Sequence, residues 1–160
     1  GSACKPWTEG SSLHFVTSVP LSRKAGNGRI VSPLDRGPED SEAINFIAPS
    51  YHASGPGGTC PAAEVVAACA AYLYAVMPDQ PTPAKVIDLL RETATIDREL
   101  LTSVSEFDDA AIDLLEEQIK ILRHPPAGKQ RKLDAPGVLH LYNAYRRIAA
   151  DAPPASQASQ

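Results

Sequence analysis

The residues best suited to chemistry stand together at Gly58-Thr59-Cys60-Pro61-Ala62-Ala63-Glu64, directly before an apolar run over residues 65–77. A glycine turn that delivers a nucleophile-type side chain to the start of a helix surrounds it with backbone N–H groups and the positive end of the helix dipole. That setting favours an anion and can activate a thiol. Cys60 is therefore the candidate nucleophile, with Gly58 and Thr59 forming the turn and helix start around it. Nucleophilic catalysis also needs a base within hydrogen-bond reach and donors for an oxyanion. The nearest histidine upstream in sequence, His52, is the candidate base, across the glycine-rich stretch Gly55-Pro56-Gly57-Gly58. The competing reading is that Cys60 is only a small residue tolerated at a tight turn. Glu64 favours that reading, because a negative charge beside the thiol opposes thiolate formation.

Other candidates for chemistry are weaker. Cys4, Cys60 and Cys69 leave at least one thiol unpaired and show no metal-ligand spacing. Cys60 and Cys69 on one helix would lie about two and a half turns apart, too far for a disulfide, so Cys69 reads as a small core residue. His14 in a strand and His140 in a helix read as structural or surface residues, and His124 as a cation at a helix C-terminus. The acidic set Asp108, Asp109, Asp113, Glu116 and Glu117 reads as a solvated helix face, with Glu116 and Lys120 paired at i,i+4. The glycine-rich stretch lacks the Lys-Ser/Thr of a phosphate loop. Tyr72, Tyr74, Tyr142 and Tyr145 lie on apolar helices and read as core or interface packing. No metal and no cofactor are expected.

Stepping outward, 160 residues at 43% hydrophobic content suit one domain over residues 1–150 with a disordered tail over 151–160. The formal charge of −4 is uneven: residues 59–124 carry five Lys/Arg against twelve Asp/Glu. The basic cluster of Lys129, Arg131, Lys132, Arg146 and Arg147 is too small and too poor in interleaved aromatics to indicate nucleic acid. The longest apolar run, about fourteen residues from Val65, falls short of the ~20 needed to span a bilayer, so no membrane partner is expected.

The first half carries short β-rich runs, Leu13-His14-Phe15-Val16-Thr17-Ser18-Val19 and Ala43-Ile44-Asn45-Phe46-Ile47-Ala48, with a further candidate at Arg29-Ile30-Val31-Ser32. From Thr59 the period becomes helical. A second helix is announced by Thr82 as cap and Pro83 at its first position, with Val86, Ile87, Leu90 and Ala94 on one face. A third is expected over residues 106–123, started by Ser105-x-x-Asp108, packed by Phe107, Ala111, Leu115, Ile119 and Leu122 and stopped by Pro125-Pro126. A fourth follows Pro136-Gly137 and presents Val138, Leu141, Tyr142, Tyr145 and Ile148.

These segments fall in the order of the C-terminal half of a subtilisin-like serine peptidase. Residues 12–19 resemble that family's valine-rich strand, and Ile44-Asn45-Phe46-Ile47-Ala48-Pro49-Ser50 its strand and turn ending in Ala-Pro-Gly. Gly58-Thr59-Cys60-Pro61-Ala62-Ala63 resembles the Gly-Thr-Ser-x-Ala-x-Pro motif at the head of its long buried helix, with Cys60 at the serine position and Glu64 at the proline. Thr82-Pro83-Ala84-Lys85-Val86 and Gly137-Val138-Leu139-His140-Leu141 are similar to its last two helices. The resemblance covers residues 12–148, with a longer excursion over residues 96–135. It implies an α/β fold of short strands followed by about four helices, and secretion. The family's aspartate, histidine and oxyanion asparagine precede the strand matched at Ser12, so they have no counterpart in this chain. The function expected is that of a degenerate or partial subtilisin-like domain, a non-catalytic binding protein whose partner is a protein or peptide, a complementary chain of the same fold being one option. The alternatives are one piece of a subtilisin-like endopeptidase whose Asp and His lie elsewhere, or an unrelated α/β binding domain.

Overall fold

The computed structural model describes residues 16–20, 43–50, 59–78, 80–104, 106–127 and 132–151. Two β-rich runs become strands β1 (Val16–Pro20) and β2 (Ala43–Ile44) with β3 (Phe46–Ser50). β1 and β3 pair in parallel from Val16↔Phe46 to Pro20↔Ser50. Strand β4 (Lys132–Leu133) pairs in parallel with β2, and Val138 bridges Ile47 in the same sense. Because Ile47 already faces Thr17 in β1, Val138 must lie on the opposite edge, and Thr95 then joins Val138 antiparallel. Asn45 interrupts the strand between β2 and β3, and its side chain is held at 2.9 Å by Asp134. The interruption resets the alternation, so Ile44 and Ile47 share one face while Phe46 and Ala48 take the other.

Five helices cover the two faces. Helices α1 (Thr59–Val76), α2 (Pro83–Glu92) and α5 (Leu141–Asp151) enclose a core with Phe46, Ala48, Ala62, Val66, Leu73, Val86, Leu90 and Ala144. Helices α3 (Arg98–Val104) and α4 (Asp109–Arg123) enclose the other, with Val19, Ile47, Leu101, Phe107, Ile112, Leu115 and Ile119. The architecture is mixed α/β, with helices on both sides of a mainly parallel array, the arrangement that buries strands on both faces.

Local chemistry accounts for the helix starts. Thr82 caps α2 by accepting from the Lys85 N–H at 3.3 Å, and Pro83 occupies a position whose N–H would have no partner. The excursion forms two helices rather than one, so the described residues hold five helices where about four are expected. Asp97 starts α3 by accepting from the Leu100 N–H at 2.9 Å. Asp108, not Ser105, caps α4, accepting from the Ala111 N–H at 2.8 Å, because α3 already occupies the chain to Val104. Arg98 then ties α3 to α4 through Asp113 at 2.6 Å and Glu116 at 2.8 Å. The expected face of α4 is the buried one, with Leu122 partly buried. Glu116 is thus committed to Arg98 rather than to Lys120.

Three further expectations change. Ala94 lies beyond the α2 cap and packs into the α3–α4 core. Val138 is extended and bridges strands, and α5 begins only at Leu141. Asp151 closes α5 and pairs with Arg147 at 3.5 Å, so the helix runs one residue into the expected tail. The candidate strand at residues 29–32 and the remainder of the tail lie outside the described residues.

Candidate functional site

Cys60 is the second residue of α1 and is exposed, and the strand that precedes it in the chain is in place over Phe46–Ser50. In a parallel β–α connection the helix returns antiparallel to its strand, which sets the head of α1 over the C-terminal ends of β1 and β3. That edge is where open α/β folds form their clefts. Gly58 and the candidate base His52 lie outside the described residues, and so does His14.

The orientation of α1 decides what Cys60 meets. Its buried seam is Ala62, Val66, Cys69 and Leu73. At 3.6 residues per turn, Cys60, Glu64, Ala67, Ala71 and Ala75 fall within about 50° of the line opposite that seam. All five are exposed. Tyr72 and Tyr74, 46% and 50% exposed, flank the strip, so they are surface residues and not core. Cys60 has no hydrogen-bond or ion-pair partner among the described residues, and Glu64 lies one turn further along the same open side. Cys69 sits in the seam as expected, where burial pushes its thiol above the ordinary range.

Under the head of α1 lie two polar groups that sequence reasoning passed over. Ser18 and Ser50 are each 1% exposed, and their hydroxyls find no hydrogen-bond partner among the described residues. By alternation from Val16, Phe46 and Ala48 they point to the α1 side of the sheet. Their only signal in the sequence is a serine at a regularly spaced position within two residues of a proline near each strand end.

The histidine–carboxylate pair among the described residues is elsewhere. His140 does not lie within a helix; it is the residue before α5, 9% exposed, with Nδ1 accepting from the Asn143 N–H at 3.2 Å. That bond fixes the proton on Nε2, which donates to Asp97 Oδ2 at 3.2 Å. Both ring nitrogens are engaged, so this pair has no free nitrogen with which to activate a nucleophile. Asp97 is held below the usual carboxylate range by the Leu100 N–H and by His140. Tyr142 and Tyr145 are 63% and 44% exposed, and the Arg146 guanidinium lies 5.9 Å from the centre of the Tyr142 ring. No group of three or more His, Cys, Asp or Glu positioned to hold a metal occurs among the described residues.

Comparisons with protein-family models, with curated proteins and with solved structures give no match.

Proposed function

We propose that this chain is a partial subtilisin-like domain that works as a non-catalytic binding protein, and that the open side of α1 is its contact surface. The observation that carries the proposal is the composition of that helix. Of its eighteen residues four are buried, one is charged, and the exposed remainder is chiefly alanine, valine and tyrosine. By length and composition α1 would suffice to cross a membrane, yet Ala62, Val66, Cys69 and Leu73 are committed to the core against the sheet. A largely apolar helix face of this kind, with Glu64 as its one charge, marks an interaction site. Alanines at four-residue spacing allow close approach of a partner's backbone, as in ridge-and-groove packing of helices. A strip about 27 Å long and one helix wide offers ~300 Å², whereas a stable interface needs ~800 Å² per partner, so the partner is a folded surface reaching past α1.

A second reading has its own observation. Cys60 lies on this same open side, so a chain covering α1 would also stand over the thiol and could bring the missing base. In that case the chain is one piece of an endopeptidase completed in trans.

A photo-crosslinking residue at Ala71 tests both readings, with a control at Glu117 on α4. Binding predicts a discrete crosslinked protein that is lost on Ala67→Glu and absent from the control. If the two positions capture the same species, the surface is not specific. The isolated complex then separates the readings: peptide hydrolysis abolished by Cys60→Ala supports the peptidase piece, and none at all supports the binding protein.

A further inference from the structure

The imidazole of His140 does two jobs at once. Its Nδ1 takes the place of an N-cap oxygen for α5 by accepting the Asn143 N–H at 3.2 Å, and its Nε2–H reaches 43 residues back to Asp97 Oδ2 at 3.2 Å. Asp97 in turn accepts the Leu100 N–H at 2.9 Å and so caps α3. One ring therefore joins the starts of two helices on opposite sides of the sheet, and it is 9% exposed.

A backbone N–H can only donate, so the Asn143 contact exists only while Nδ1 carries a lone pair. A second proton on the ring places an N–H against that N–H and removes the cap, while the Asp97 contact gains charge and strengthens. The two arms respond in opposite senses. We propose that His140 is a proton-operated latch, closed on both helices when neutral and, when protonated, released from α5 while still held by α3.

The surroundings leave this response to the pair itself. Asp97 is the ionisable group within ion-pair reach of the ring among the described residues. Of the other charges on the packed segments, Arg98 is bound to Asp113 and Glu116, Asp88 pairs with Arg91, Asp134 holds Asn45, Arg147 holds Asp151, Arg146 lies over Tyr142, exposed Glu92 lines one cleft with Asn143, and Lys85 and Glu99 are exposed on α2 and α3. Release has a direction, because Leu141 in the freed turn packs against the core shared by α1 and α2. Loosening it opens apolar surface on the α1 side of the sheet.

Residue-resolved amide exchange from pH 8 to pH 5 tests the latch, across the range where imidazoles change charge. After correction for intrinsic rates, protection at Asn143 should fall about tenfold as the ring protonates, the size of a lost N-cap, while Leu100 keeps its protection. His140→Asn, which caps without ionising, should keep Asn143 protected throughout. Imidazole ¹⁵N shifts that place the proton on Nδ1 at pH 8, or Asn143 protection unchanged across the ring's titration, overturn the proposal.

Discussion

Replacing Gly137 by alanine puts its close crossing with Thr95 and Ile96 under direct test. The new Cβ would stand 2.5 Å from the Thr95 carbonyl carbon, 2.6 Å from its Cα and 2.9 Å from the Ile96 nitrogen. Carbon atoms rest at about 3.5–4.0 Å, so the two segments must part by ~1 Å. All three obstacles are backbone and cannot rotate aside. Parting also strains the Thr95 N–H to Val138 C=O bond at 2.9 Å and its return bond at 3.1 Å, and the Leu139 N–H to Ile47 C=O bond at 2.7 Å is adjacent. Overpacking costs about 1–3 kcal/mol, and weakening two backbone hydrogen bonds about 1 kcal/mol each. Reduced freedom of the unfolded chain returns ~0.4–1 kcal/mol, leaving a net loss of about 2–4.5 kcal/mol. Urea unfolding followed by far-UV circular dichroism reads this directly. At a slope of ~1.5 kcal/mol per molar the midpoint should fall by about 1.3–3 M with the slope unchanged. A shift below ~0.5 M would show that the crossing yields without cost and refute the steric argument.

Leu73→Ala, at a fully buried position of the α1 seam, should cost about 2–5 kcal/mol in the same assay, whereas Ala71→Ser on the open side of the helix should stay within ~0.5 kcal/mol. Ser18→Ala removes a buried hydroxyl that has no partner among the described residues, so stability should hold or rise by up to ~1–3 kcal/mol, and a clear loss would show that the hydroxyl is bonded. Asp97 is depressed in the folded state by the Leu100 N–H and His140, so its contribution is present above its unfolded pKa and is lost as pH falls through the folded value. Asp97→Asn should therefore flatten the acid limb of stability against pH below about 4. An acid limb identical to that of the parent chain would show that this carboxylate has no linked role.

Much of the local structure was legible because it depends on near neighbours in the chain. Thr82 followed by Pro83 and an apolar helical period favours a helix start, and the spacing of Phe107, Ala111, Leu115 and Ile119 marks one buried face whatever lies against it. The position of Cys60 at a helix head followed from the change of period at Thr59 in the same way. Where two signals competed, the sequence was ambiguous. Ser105-x-x-Asp108 looks like a capping box, and only the presence of α3 up to Val104 hands the cap to Asp108.

Tertiary structure decided the rest, because it concerns residues far apart in the chain. Apolar content made every face of α1 eligible for the core, and only the sheet chose Ala62, Val66, Cys69 and Leu73, which left Cys60 and the alanine strip outside. The same choice put Tyr72 and Tyr74 on the surface, against their hydrophobic character. No spacing rule joins His140 to Asp97 or Gly137 to Thr95, since each pair meets only when the Thr95–Val138 bridge closes. Periodicity tells a helix that it has a face to bury, but which face is buried, and which stays open for a partner, is fixed by the surface that arrives from elsewhere in the chain.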